Sequence, residues 1–199
     1  MIRILSQIVE FRNGESGSHV LHINKLTEML LDRLIQKTDQ YQLDGQMISM
    51  IATASSLHDI GKICVDERIL NKPGKLTKEE FEIMKTHAVI GAGMLEHLEN
   101  YQDEPMIKVA HEICRWHHER YDGNGYPDGL KADEIPISAQ VVSVADVYDA
   151  LVSKRIYKKA FSHEKALQMI LNGECGQFNQ ILIDCLKEIS EEIKTEYHE

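Results

Sequence analysis

Five of the chain's ten histidines fall in short strings that also hold a carboxylate or a glycine turn. They are His19 in ESGSH, His58 in LHDIGK, His87 in HAVIG, and His117 with His118 in HHERYDGNGYP. Asp59 follows His58 directly, and Asp146 stands in VADVYDAL, an otherwise apolar helical string. A carboxylate placed on an apolar face is costly unless it is paired or bound to metal. Singly, the His58–Asp59 dipeptide fits a cap or core role equally well, and Asp146 alone fits an N-cap or a buried salt bridge. Together they make a donor set. Imidazole with carboxylate suits Fe, Mn, Zn or Ni, and the lack of thiolates in these strings argues against a closed structural zinc site. Two such ions, roughly 3.5–4 Å apart, would share Asp59 as a bridge and hold a hydroxide between them, the arrangement that cleaves phosphodiesters in line. Asp59, Asp146 and Glu15 offer at most three negative charges against two or three divalent ions, so the site stays positive and attracts phosphate.

That local positive charge matters because the chain as a whole carries a formal charge of −10. An acidic surface repels nucleic-acid backbones and anionic membranes, so neither a DNA nor an RNA polymer is an expected partner. With 43% apolar and 27% charged residues over 199 positions, the chain reads as one soluble globular domain. Cys64, Cys114, Cys175 and Cys185 are too widely spaced for a zinc knuckle or a redox pair. The N-terminus lacks the apolar run of a signal peptide, and no stretch is long enough to insert in a membrane, so a cytoplasmic location is expected.

The elements that must position these residues are helices. Ile23, Leu26, Leu30 and Leu34 recur at three-to-four-residue steps, as do Met47, Ile48, Ile51, Ala54 and Leu57 in a second helix whose last turn is expected to end at Gly61. A Pro-Gly turn then leads into a helix started by Thr77 and Glu80 as a capping box, with Leu76 and Phe81 as a staple. Ile107, Ala110, Ile113, Cys114 and His117 share one face of a helix from about Pro105 to His118. The glycine- and proline-bearing ERYDGNGYPDGLKADEIP must be an ordered loop. Helix resumes at ISAQVVSVADVYDALVS, Ser162 caps the next one, and ILIDCLKEISEEIK reads as a single final amphipathic helix. No segment has a convincing period of two. The expected class is all-α, a single helical bundle with an ordered loop.

The ordered series HDIGK, KPGKLTKEEFEIMKTHAVIG, HHERYDGNGYPDGL and IPISAQVVSVADVYDALVSKRIYKKA resembles the HD-GYP family of phosphohydrolases, over about Glu15 to Ile170. The resemblance implies an HD-type bundle, with residues 1–14 as a lead-in helix or linker and 15–199 as the domain. It implies hydrolysis of cyclic di-GMP to the linear dinucleotide or on to GMP, with His58, Asp59, His87, His117, His118 and Asp146 as metal ligands. Lys62 would stand near the metal-bound water or a substrate phosphate, its bland alternative being a solvated lysine. Tyr126 and Pro127 match the family's namesake loop, with Gly123 and Gly125 shaping it and Asp122 orienting it. Arg155 and Lys158, in the one dense basic run, match positions that contact substrate phosphates, and Arg suits that task with its planar fork. Some members hold a third metal with a Glu and a His spaced as Glu15 and His19 are, which would make Glu15 bridging and His19 terminal, with Asp146 shared. The cofactors implied are two or three divalent ions, Fe or Mn ahead of Zn or Ni.

Two departures from the family pattern stand out. His22 occupies a position where an Arg is common, and Phe178-Asn179-Gln180 replaces a Phe-Asp-Pro turn. His97, His111, His163 and His198 match no ligand position and read as surface or core residues. Against the enzyme stand two other readings: a catalytically silent domain that binds nucleotide or a protein, and a hydrolase for another cyclic dinucleotide. Every ligand position holds a competent donor, which favours the enzyme. A homodimer, an upstream sensor or receiver module, and a diguanylate cyclase (GGDEF-type) partner are all compatible with the sequence. Ile4, Leu5, Ile8 and Phe11 mark a helix leading into the domain.

Overall fold

The computed structural model describes residues 2–12, 18–153 and 160–198, and among them there is no β-strand. The helices are α1 (Ile2–Arg12), α2 (Ser18–Leu34), α3 (Gly45–Ser55), α4 (Glu67–Leu70), α5 (Lys78–Glu96), α6 (Pro105–Trp116), α7 (Ile137–Val152), α8 (His163–Leu171), α9 (Gln180–Glu188) and α10 (Ser190–His198). Single-turn 3₁₀ segments lie at Ile60–Cys64 and Ala132–Glu134.

The apolar stripe of α2 is fully covered: Ile23, Leu26, Leu30, Leu31 and Leu34 are all buried against α3, α7 and α9. Burying each such side chain is worth roughly 1.5–3 kcal/mol. α7 is apolar nearly all round, with Val141, Val142, Val144, Ala145 and Tyr148 buried, which makes it the central helix of the bundle. Its two acids, Asp146 and Asp149, therefore lie inside the molecule. α1 packs back on the domain through Val9 and Ser6, both buried, and Arg12 donates to the carbonyls of Lys62, Ile63 and Val65.

The local start signals hold. Thr77 accepts from the Glu80 N–H while Glu80 accepts from the Thr77 N–H, Ser162 caps α8, and Pro105 opens α6. Two expectations on boundaries fail. The second helix ends at Ser55 rather than at Gly61, and the chain turns through His58 and Asp59 into the 3₁₀ segment. The cause is a close backbone crossing: a Cβ on Gly61 would sit 2.0 Å from the carbonyl oxygen of His87, with Gly91 directly alongside. A regular helix cannot bring its backbone that near to α5, so it stops and the glycine makes the contact. The C-terminal segment forms two helices with a break at the buried Ile189, not one.

Candidate metal centre

Four elements converge on one point. The turn after α3 brings His58 and Asp59, α5 brings His87, the C-terminal end of α6 brings His117 and His118, and α7 brings Asp146. His19 enters from the first turn of α2. Among the described residues these form two adjoining groups, Asp59 with His87, His117 and His118, and His19 with His58 and Asp146. Within each group the candidate ligand atoms lie within 4.8 Å of one another. His58 Nε2 joins the groups, 3.2 Å from Asp59 and 4.0 Å from Asp146. His87 Nε2 is 3.2 Å from the other oxygen of Asp59.

The imidazoles are oriented by their own helices. Nδ1 of His58 bonds the Ser55 carbonyl at 2.8 Å, that of His87 the Met84 carbonyl at 2.7 Å, and that of His117 the Ile113 carbonyl at 2.8 Å. Each Nδ1 therefore carries a proton, and each Nε2 faces the cluster, where it can offer a lone pair to a cation. Those three Nε2 atoms and Oδ1 of Asp59 are buried and make no hydrogen bond. Orphaned buried polar atoms are costly, and several converging on one point fit divalent cations.

The electrostatics suit the same occupant. Burial, with repulsion from His58, drives His117 down to about 3; burial, with the neighbouring His117 and His87, lowers His118 well below its ordinary value. These rings are neutral and free to donate. Burial also opposes charge on His58, but Asp59 beside it outweighs this and raises it to about 9. Burial pushes Asp59 upward, while the ammonium of Lys62, 2.5 Å from Oδ2, and the neighbouring His58 hold it well below the usual carboxylate range. A divalent ion would take the place of the His58 proton and of part of the Lys62 contact.

Asp149 escaped the sequence reading. It is fully buried one turn after Asp146, and its two oxygens accept from Nδ1 of His19 at 2.6 Å and Nδ1 of His22 at 2.9 Å. Burial raises its carboxyl, yet the bonds from His19 and His22 prevail and hold it at about 2. The departure at His22 thus has a structural role: it holds the carboxylate that orients His19. Its signal in the sequence was the second acid of VADVYDAL.

Glu119 was also missed. It is buried, and its carboxylate accepts from the backbone N–H groups of Asp128, Gly129 and Leu130, which ties the loop down. Asp122, the expected organiser, only closes a local turn on Asn124. A Cβ on Gly125 would lie 2.3 Å from backbone atoms of Glu119 and Arg120, so the loop needs glycine there. The loop lays Tyr126 against His118, ring centroids 4.7 Å apart and stacked. Asn179, in the departing C-terminal turn, caps α9 and bonds Gln140 and Tyr41. His163 bonds Tyr148, and His111 pairs with Glu96, both away from the cluster. Glu15, Arg155 and Lys158 lie outside the described residues.

The chain matches the HD domain family model over residues 4–177. It belongs to that family, in its HD-GYP branch. This HD-GYP domain is 44% identical over 184 residues to a Vibrio cholerae protein named "Probable cyclic di-GMP phosphodiesterase", covering 90% of this chain and 42% of the relative. It is 37% identical to the V. cholerae "3'3'-cGAMP-specific phosphodiesterase 2", covering 92% of this chain and 33% of that protein. The HD-GYP domain thus spans less than half the length of either. The fold matches Bd1817, an HDG"Y"P protein from Bdellovibrio bacteriovorus, with a TM-score of 0.64 at 21% identity, covering 87% of this chain and 51% of that one. No helix among the described residues is long and apolar enough to cross a membrane.

Proposed function

We propose that this domain is a metal-dependent phosphodiesterase whose substrate is a cyclic dinucleotide, cyclic di-GMP first. The observation that carries the reading is the convergence of three oriented, unbonded Nε2 atoms on the Asp59 carboxylate. Asp59, His87, His117 and His118 would hold one ion, and His58 and Asp146 a second, with Asp59 shared between them and His19 beside Asp146. Glu15 with His19 would complete a third position. Divalent ions held there supply Lewis acidity toward a phosphate oxygen and a nucleophile from water at neutral pH.

The chain's own residues do the rest. Asp149 and the helix carbonyls fix the imidazole orientations, so the donors need no reorganisation when substrate arrives. Lys62, already against Asp59, is placed to turn its ammonium to a non-bridging phosphate oxygen. Tyr126, whose phenol burial pushes up and keeps protonated, closes the wall beside His118. Arg155 and Lys158 would meet the phosphates and add their cationic charge to that of Lys62. Relatives with both cyclic di-GMP and 3'3'-cGAMP in their names support the substrate class and leave the choice between the two to experiment.

The test is product analysis on metal-loaded protein given cyclic di-GMP and 3'3'-cGAMP separately. Linear dinucleotide or mononucleotide from either supports the reading. Tight binding without cleavage would establish the silent-receptor alternative instead.

A further inference from the structure

One aromatic beside the cluster is not explained by metal binding or by packing. Phe81 is 46% exposed although it lies on the first turn of a long helix with a covered face. Its ring meets Tyr126 edge-on, centroids 6.4 Å apart, and Tyr126 in turn stacks on His118. Lys85, one turn along α5, sets its ammonium 5.2 Å from the Phe81 ring centre and 5.5 Å from that of Tyr126, while bonding the exposed Glu82. A phenyl serving only to staple the helix end would be covered by its partner. Here it is left open, two ring contacts from a candidate metal ligand, with a cation at its side. A cyclic dinucleotide seated with one phosphate at the cluster must put its bases somewhere beyond that phosphate, and every base offers a flat π-face to an aromatic platform.

We propose that Phe81 and Lys85 form the base-recognition edge of the site, Phe81 stacking on a substrate purine and Lys85 donating to it. This rests on the phosphodiesterase reading above. Guanine presents O6 and N7 together as acceptors to a lysine donor, whereas adenine puts an amino donor in place of O6. Lys85 therefore favours guanine, and Phe81 favours either purine.

The experiment compares the metal-loaded chain with the variants Phe81→Ala, Phe81→Trp and Lys85→Gln on three substrates: cyclic di-GMP, cyclic di-AMP and bis(4-nitrophenyl) phosphate, which has no base. Phe81→Ala should lower the ratio of kcat/KM for cyclic di-GMP to that for the aryl ester about tenfold, chiefly through KM, and Phe81→Trp should keep the ratio. Lys85→Gln should lower the cyclic di-GMP to cyclic di-AMP ratio about fivefold. Unchanged ratios in the Ala and Gln variants overturn the proposal while leaving the phosphodiesterase reading intact. Wild-type protein that cleaves the aryl ester but no cyclic dinucleotide overturns both.

Discussion

Asp59 stands beside His58, which links the two ligand groups, with one oxygen toward His87 and the other toward His58 and Lys62. Asp59→Ala is therefore expected to abolish turnover and strip bound metal while the bundle stays folded, read by elemental analysis and circular dichroism. Substantial hydrolysis by a folded, metal-poor variant would contradict the bridging role. Asp149 acts one bond further out. Asp149→Asn should weaken metal binding about 10–100-fold by releasing His19, a change visible in competition with a chromogenic chelator. Unaltered affinity would reduce Asp149 to a packing residue. Arg155→Ala should raise KM with metal content intact, because its proposed partner is a phosphate; charge-assisted contacts of that kind are worth roughly 1.5–3 kcal/mol. Lost metal or an unchanged KM would show the role to be misplaced. The candidate ligands that the fold brings together were legible in the sequence as His and Asp strings and through the family resemblance. The groups that orient them were not, since Asp149 and Glu119 look like ordinary acids until the fold shows what their oxygens accept.

The helices themselves announced their cores and starts through periodicity and capping, as α2 and α5 illustrate. What periodicity did not carry was where α3 must stop. That boundary is set by a tertiary contact, the crossing of Gly61 on α5 at His87 and Gly91, and a local pattern holds no record of a distant backbone. The same crossing is what brings the His58–Asp59 turn to His87. Gly61→Ala should therefore destabilise the protein by about 3 kcal/mol, roughly 6–12 °C in Tm, because the new methyl meets backbone that cannot yield. It should also lower metal occupancy in the protein that remains folded. A wild-type Tm would mean the crossing is loose and does not hold the site together. The break at Ile189 likewise has no local signature, for the apolar spacing runs on through it.

At the scale of the molecule, Leu26, Leu30, Ile113 and Leu186 belong to one continuous cluster of buried apolar side chains. Chelation should thus leave the helical spectrum in place while lowering Tm, since an ion at about 100 times its dissociation constant adds roughly 2.7 kcal/mol. Loss of helix on chelation would instead mark the metal as a folding element. With a net charge of −10, divalent ions bound at the cluster would supply the local positive charge that draws the proposed anionic substrate. The most direct measurement is made on the chain purified without oxygen: its divalent metals are counted per chain, and the same sample is incubated with cyclic di-GMP and its products separated by chromatography. Two or three ions per chain, together with linear dinucleotide or GMP that disappears on chelation and returns on reloading, is the expected result. A fully loaded centre that leaves every cyclic dinucleotide intact would contradict the account.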